Sequence, residues 1–455
     1  MIRAPVAAAK NTRNVAGRIS NKGLRFKAYG ARNKTEHPRS PSRSNKYSQT
    51  LKCYKKTGIM NNTEYRVRGF KASSVTVGFK KDIGPDMALI FSDSEATAAG
   101  VFTTNMIKAA PVLFSMEQIK KGRARAIIVN AGNANACTGD EGLENTRLTA
   151  EMAAEKLGIR ADEILVASTG VIGSQLDMNR VSKGISDLTE GLSYDGMGGV
   201  AEAIMTTDTF PKISRFEGKA QDSPYRIIGI AKGAGMIMPN MATMLAFLLT
   251  DVRIELPELK AALSSSVDKT FNRITVDGET STNDTVLVMA NGIAGNRQLK
   301  ADDYEVFKRG LEQVMDELSL MIVKDGEGAT KVVCIKVKGA STGRDAITAA
   351  RTVANSSLVK TAFYGQDPNW GRIIAALGRS GISMKQEGVS IWVDEVMIVE
   401  GGLGVGEDQE KKAAEKMKEK EFSVTIDLNQ GGYEDQVKTC DLTPEYISVN
   451  ADYRT

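Results

Sequence analysis

The feature that most constrains this chain is an apolar run in mid-sequence, Met244-Leu-Ala-Phe-Leu-Leu249. It is entered through Lys232-Gly-Ala-Gly-Met-Ile-Met-Pro-Asn-Met-Ala-Thr243. A short continuous apolar run reads as a strand buried in a sheet, and Pro-Asn ahead of it reads as a turn. Extended back to Met241, it is still only about half of the ~20 residues that a membrane helix needs. The fold must therefore bury this segment inside a protein core.

The charge of the chain is unevenly distributed. Residues 1–59 hold fifteen Lys or Arg and one acid, Glu36, whereas the remainder holds 45 basic and 54 acidic residues. The body is thus mildly acidic, which argues against nucleic acid as its partner. The segment 1–60 is basic, rich in Ser, Ala and Asn, and without a long apolar stretch. That is the composition of an organellar transit peptide, mitochondrial or plastid, or of a basic tail; without it the expected location is cytoplasmic. Cys53, Cys137, Cys334 and Cys440 are far apart, so no zinc-ligand spacing is present.

Strand and helix patterns are mixed, which predicts an α/β or α+β fold. Strands are expected at Ser73–Phe79, Met87–Phe91, Ala99–Asn105, Ala126–Val129, Ile164–Ala167, Thr285–Met289 and Lys331–Val337. Helices are expected at Leu143–Leu157 with Gly158 as C-cap, Leu256–Thr270, Asp303–Val323, Arg344–Lys360 and, as a charged exposed element, Glu407–Lys420.

The only histidine is His37, in the leader. The body therefore has neither an imidazole base nor a His metal ligand. Ala242-Thr243 offers another route. Cleavage between them would give Thr243 a free α-amine, which titrates near neutrality and can act as base for its own hydroxyl. Ser168-Thr169-Gly170-Val-Ile-Gly173 follows a strand, and such a turn can aim a hydroxyl and a backbone N–H at one point, as an oxyanion hole requires. Lys232-Gly-Ala-Gly lacks the phosphate-loop spacing, and Gly401-Gly-Leu-Gly-Val-Gly406 lacks the dinucleotide fingerprint.

Nine blocks together resemble the ornithine acetyltransferases (glutamate N-acetyltransferases) of arginine biosynthesis. They are Ala99–Asn105, Asn130-Ala-Gly-Asn-Ala-Asn135, Ser168–Gly173, Met205-Thr-Thr-Asp-Thr209, Lys232–Leu245, Ser281-Thr-Asn-Asp284, Asp325-Gly-Glu-Gly-Ala-Thr330, Asp367-Pro-Asn-Trp-Gly-Arg372 and Asn450-Ala-Asp-Tyr-Arg-Thr455. The resemblance covers about residues 65–455. It implies an αββα-type sandwich with N-terminal-nucleophile chemistry, cleaved by itself at Ala242–Thr243 into an α chain (61–242) and a β chain (243–455), associated as α2β2. It implies acetyl transfer from N2-acetylornithine to glutamate without cofactor, metal or membrane; some members also take acetyl-CoA as donor. It makes Thr243 the nucleophile and assigns the oxyanion hole to Thr169 and Gly170. Substrate contacts fall to Thr209, Lys232, Thr243, Glu327, Asn450 and Thr455. Lys232 is expected to pair with an α-carboxylate and Glu327 with the δ-ammonium of ornithine.

Two other readings stay open on sequence alone. One is an amidase or aminopeptidase of related fold, in which water turns over the acyl-enzyme. The other is an unprocessed binding protein whose 242–243 bond stays intact.

Overall fold

A computed structural model describes residues 62–80, 84–238 and 244–452. The leader, the 242–243 bond, Thr243 and Thr455 lie outside the described residues.

In chain order the strands are β1 (Phe70–Val75), β2 (Met87–Phe102), β3 (Arg123–Asn133), β4 (Ile164–Val171), β5 (Lys212–Ala220), β6 (Ser223–Lys232), β7 (Leu245–Thr250), β8 (Thr285–Ala290), β9 (Val332–Ala340), β10 (Ser390–Val393), β11 (Val396–Glu400), β12 (Leu403–Gly404), β13 (Glu421–Asp427) and β14 (Tyr433–Cys440). Among the described residues they form two sheets. One runs β4-β3-β2-β8-β7-β6-β5, with β1 also paired to β2. The other runs β12-β11-β10-β13-β9-β14.

The long strand β2 joins two layers of the larger sheet. Its first part, Met87–Phe91, pairs with β1 and β3, and its last part, Thr97–Phe102, pairs with β8. Side chains alternate across a strand, so each layer has two faces. Ala88 and Ile90 of β2, Ile127 and Val129 of β3, and Leu165 of β4 meet Ile228 and Ile230 of β6, Phe247 and Leu249 of β7, and Leu287 of β8 in one central core. The outer face of the β1–β4 layer, with Met87, Leu89 and Ile128, packs on helices Gly139–Leu157 and Met178–Glu190. The outer face of the other layer, with Leu248 and Val288, packs on helices Leu256–Lys269 and Ala301–Lys324. The order of layers is therefore helix, sheet, sheet, helix.

The apolar run Met244–Leu249 behaves as the sequence predicts. Leu245–Thr250 is β7, and all six residues are buried. Met87–Phe91 and Ala99–Asn105 were expected as separate strands; Met87–Phe91 and Ala99–Phe102 belong to one bent β2, and Thr103–Asn105 lie beyond its end. A register shift between Phe91 and Ala96 absorbs the polar Ser92–Glu95 stretch. The expected helix Arg344–Lys360 is two helices, Gly343–Ala354 and Ser357–Tyr364. The break falls at Asn355, whose side chain accepts a hydrogen bond from the Thr275 hydroxyl at 2.6 Å. Among the described residues no helix is long and apolar enough to cross a membrane.

Candidate active site

The site is built where strands of the larger sheet end. β3 and β4 run parallel, with Ala126 opposite Ile164 and Ala131 opposite Thr169, and their register shifts at Gly132 and Asn133. Gly170 has φ +130°. A Cβ there would lie 2.3 Å from the carbonyl carbon of Gly132, so no other residue fits without moving backbone. The asparagines of the 130–135 block hold this irregular turn. Asn130 Nδ2 donates to Asn133 O at 2.8 Å, and the Ser168 hydroxyl donates to Asn130 Oδ1 at 2.6 Å. From the 281–284 block, Asn283 Nδ2 donates to Ala134 O (2.7 Å) and Ser168 O (2.8 Å). Buried carbonyls at this turn thus accept from side-chain amides.

Lys232, the last residue of β6, is 3% exposed. Its ammonium donates to Thr169 Oγ1 at 3.1 Å and to Thr206 Oγ1 at 2.9 Å. Two of its three protons are so directed, which leaves one for a substrate carboxylate. Burial pushes its pKa down, with Asp208 pulling the other way.

Beneath it lies a fully buried ion cluster. Lys212 Nζ meets Asp208 at 2.7 Å and Asp325 at 2.5 Å. Burial opposes the charge on Asp208, but Lys212 and Lys232 outweigh it and hold this carboxyl well below its ordinary range. Asp208 also accepts from the backbone N–H of Gly233 (2.7 Å) and of Thr206 (3.0 Å). The Thr209 hydroxyl donates to Asp325. Thr209 therefore sits on the supporting cluster and is not part of the cleft lining, whereas Thr206 is.

A cleft with about 110 Å³ of internal space runs from Thr169, Gly170 and Lys232 to an acidic end. At that end Asn450 Nδ2 donates to Glu327 Oε2 at 2.7 Å, and Tyr446 Oη donates to Asp277 Oδ2 at 3.3 Å. The Glu327 carboxylate packs on Gly235, where a Cβ would lie 2.4 Å from Glu327 Cδ. Glu279 also lines this end.

Two aspartates hold the chain on either side of residues 239–243. Asp277 accepts from the N–H of Met236 (2.6 Å) and Ile237 (2.9 Å), and Asp284 accepts from the N–H of Met244 (2.9 Å). Burial pushes both carboxyls up, that of Asp284 well above its usual range.

Thr169, Gly170, Lys232, Glu327 and Asn450 are therefore brought to one cleft. Thr206, Asp277, Asp284 and Tyr446 were not singled out from the sequence. Thr206 and Asp284 lie inside blocks that were quoted, but nothing in their spacing distinguishes them from ordinary turn residues.

The sequence model of the ArgJ family matches residues 71–455. An arginine biosynthesis bifunctional protein ArgJ from Geobacter sulfurreducens is 50% identical over 391 residues, covering 86% of this chain and all of the relative. A glutamate N-acetyltransferase from Methanocaldococcus jannaschii is 46% identical over 403 residues, covering 85% of this chain and 97% of the relative. A crystal structure of ornithine acetyltransferase complexed with ornithine, from Mycobacterium tuberculosis, is 36% identical. It covers 38% of this chain and 93% of its own, with a TM-score of 0.33.

Proposed function

The chain belongs to the ArgJ family, and from that premise we propose how its cleft works. The protein is an acetyltransferase that moves the acetyl group of N2-acetyl-L-ornithine to L-glutamate, leaving ornithine and N-acetylglutamate. The observation that carries the residue assignment is the polarity of the cleft. Hydroxyl and ammonium groups gather at the Thr169–Lys232 end, and carboxylates gather at the Glu327 end. Each half-reaction passes through an oxyanion and handles an amino acid, so both ends are needed.

Thr243 is the nucleophile in this reading. Leu245 pairs directly with Lys232 across β6 and β7. Residue 243 is two residues upstream, and covalent geometry keeps it within about 7 Å of Leu245. Self-cleavage frees its amine: the hydroxyl attacks the Ala242 carbonyl, the 242–243 amide becomes an ester, and water hydrolyses that ester.

The freed amine then takes the hydroxyl proton as Oγ attacks the acetyl carbon. Thr169 O–H and Gly170 N–H receive the oxyanion, each worth ~3 kcal/mol by the usual effect of removing one donor. The C–N bond breaks, the proton passes to the leaving α-amine, and ornithine departs. Glutamate's α-amine next attacks the acetyl ester, its proton passes through the Thr243 amine to the departing Oγ, and collapse releases N-acetylglutamate with the hydroxyl and free amine restored. Two such half-reactions give ping-pong kinetics.

Glu327, beside Asn450, suits the δ-ammonium of ornithine, and the remaining Lys232 proton suits an α-carboxylate. Thr209 is a further substrate contact that membership of the family supports, and its N–H and hydroxyl donate to Asp325. Thr455 follows the helix Pro444–Asp452 that bears Asn450, so its carried-over substrate role rests on chain proximity. No cofactor is required, and acetyl-CoA is a second acetyl donor. The assembly is α2β2. The leader 1–60 is a transit peptide for a mitochondrion or plastid.

Intact-mass measurement and N-terminal sequencing test the reading. Wild type should give two pieces, the second beginning at Thr243. Thr243→Ala should give one uncut chain without transferase activity. An active uncut protein would overturn the mechanism, and hydrolysis of acetylornithine that ignores glutamate would favour an amidase.

A further inference from the structure

We propose that Thr206 is a positioning residue for the oxyanion hole, acting through Lys232; this rests on the acetyl-transfer reading above. A hydroxyl has one proton and two lone pairs. Thr169 Oγ1 receives a proton from Lys232 Nζ at 3.1 Å, and its own proton meets no acceptor among the described residues. With the ammonium occupying one side of the oxygen, the Thr169 O–H is left to point into the cleft, where an oxyanion would form. The cation behind it also strengthens it as a donor.

A lysine ammonium on a four-carbon stem does not hold one orientation by itself. Thr206 supplies the fixed second acceptor, at 2.9 Å from Nζ. Thr206 is in turn fixed by its backbone, because its N–H donates to Asp208 Oδ2 at 3.0 Å. Asp208 also holds the N–H of Gly233, next to Lys232, at 2.7 Å, and is locked by buried Lys212. One carboxylate thus sets both the lysine backbone and the threonine that aims its ammonium. The chain of contacts runs Asp208, Thr206, Lys232, Thr169, oxyanion.

The test is steady-state kinetics on processed enzyme with N-acetylornithine and glutamate. Thr206→Val keeps the shape and removes the acceptor; kcat should fall about tenfold, and KM for N-acetylornithine, whose α-carboxylate the same ammonium meets, should rise by less than that factor. Thr206→Ser restores the acceptor and should return kcat to within threefold. Because Thr206 acts through Lys232, adding Thr206→Val to Lys232→Met should cost nothing further in kcat. If the valine chain fails to fold, Thr206→Ala with the same serine rescue reads the same effect.

Four results would overturn the proposal. They are an unchanged kcat in Thr206→Val, a raised KM with normal kcat (a direct substrate contact), a serine variant as poor as valine, and a full tenfold penalty on top of Lys232→Met. A wild-type protein without any transfer would instead refute the function reading, so the two failures are told apart.

Discussion

The two sheets of this protein differ in how their buried charges are held. In the larger sheet, charges and amides are buried at the strand ends: Lys212, Lys232, Asp208 and Asp284 are all less than a tenth exposed. In the smaller sheet the core is apolar, built from Ile335 and Val337 of β9, Ile391 of β10, Val424 and Ile426 of β13, and the helices packed on them. The charges buried at its strand ends meet backbone and hydroxyl groups instead of an opposite charge: Lys360 donates to Thr439 Oγ1 at 3.0 Å and to Cys440 O, and Asp441 accepts from the N–H of Thr330 and of Lys331; ion pairs such as Lys416–Glu395 at 2.6 Å lie at the surface. Burying a charge is costly unless it is paired, whereas apolar packing has no such cost. The larger sheet carries that cost where the chemistry is. The smaller sheet contributes stability, and through the chain beyond β14 it delivers helix Pro444–Asp452, with Tyr446 and Asn450, to the cleft.

The comparison is most sharply tested at Gly170. Gly170→Ala places a Cβ against Gly132 backbone in a conformation with φ +130°. Neither atom can yield without opening the β3–β4 turn. We expect transfer activity to fall about a hundredfold or more, on the scale of a lost oxyanion-hole donor. Steady-state kcat checks this, and near-normal kcat would remove the turn from the site.

Next in size is Lys212→Met. It leaves Asp208 and Asp325 buried without their shared cation, a change that typically costs 3–5 kcal/mol. Urea unfolding at pH 7 should show that loss, with activity falling as the Thr206–Lys232 frame loosens. The sign of the pH effect follows from the shifts. Asp208 is held well below its ordinary pKa, so its contribution is present above its unfolded value, ~3.9, and is lost as pH falls toward the folded one. Lys212 is raised, since its two aspartates outweigh burial, so its contribution is full below its unfolded value and is lost only as pH climbs through the folded one. The variant should therefore be less stable at pH 7 but show a flatter loss of stability below about pH 4.

How far the sequence reached follows the same division. Runs that are apolar throughout, such as Met244–Leu249 and Ala126–Val129, were legible as strands because burial on both faces leaves no alternation to misread. The hairpin of β5 and β6 was not legible. Lys212 and Lys232, charged residues that normally sit in water, disguise two buried strand ends. The Arg344–Lys360 pattern hid a break because Asn355 is held by Thr275, far away in sequence. Of the site, Thr169, Gly170, Lys232, Glu327 and Asn450 were legible through the blocks that resemble one family. Thr206 and Asp208 were present in the same blocks, but their roles depend on what β6 brings beside them, and no spacing carries that information.

The smallest expected effect belongs to the smaller sheet. Ile426 is fully buried in β13, between β10 and β9, and removing one methylene as Ile426→Val leaves a small void that the neighbouring side chains fill only in part. Such a change usually costs about 1 kcal/mol. Thermal or urea unfolding should show that cost. The kcat and KM of the processed enzyme should stay at wild-type values, because no residue of β13 lines the cleft. If Ile426→Val left stability unchanged but altered kcat, the smaller sheet would be coupled to the chemistry, and the division between a catalytic sheet and a packing sheet would fail. The path to examine would then be β9 to β14, since β14 leads through Cys440 and Asp441, which holds the N–H of Thr330 at 2.8 Å, to the helix bearing Asn450.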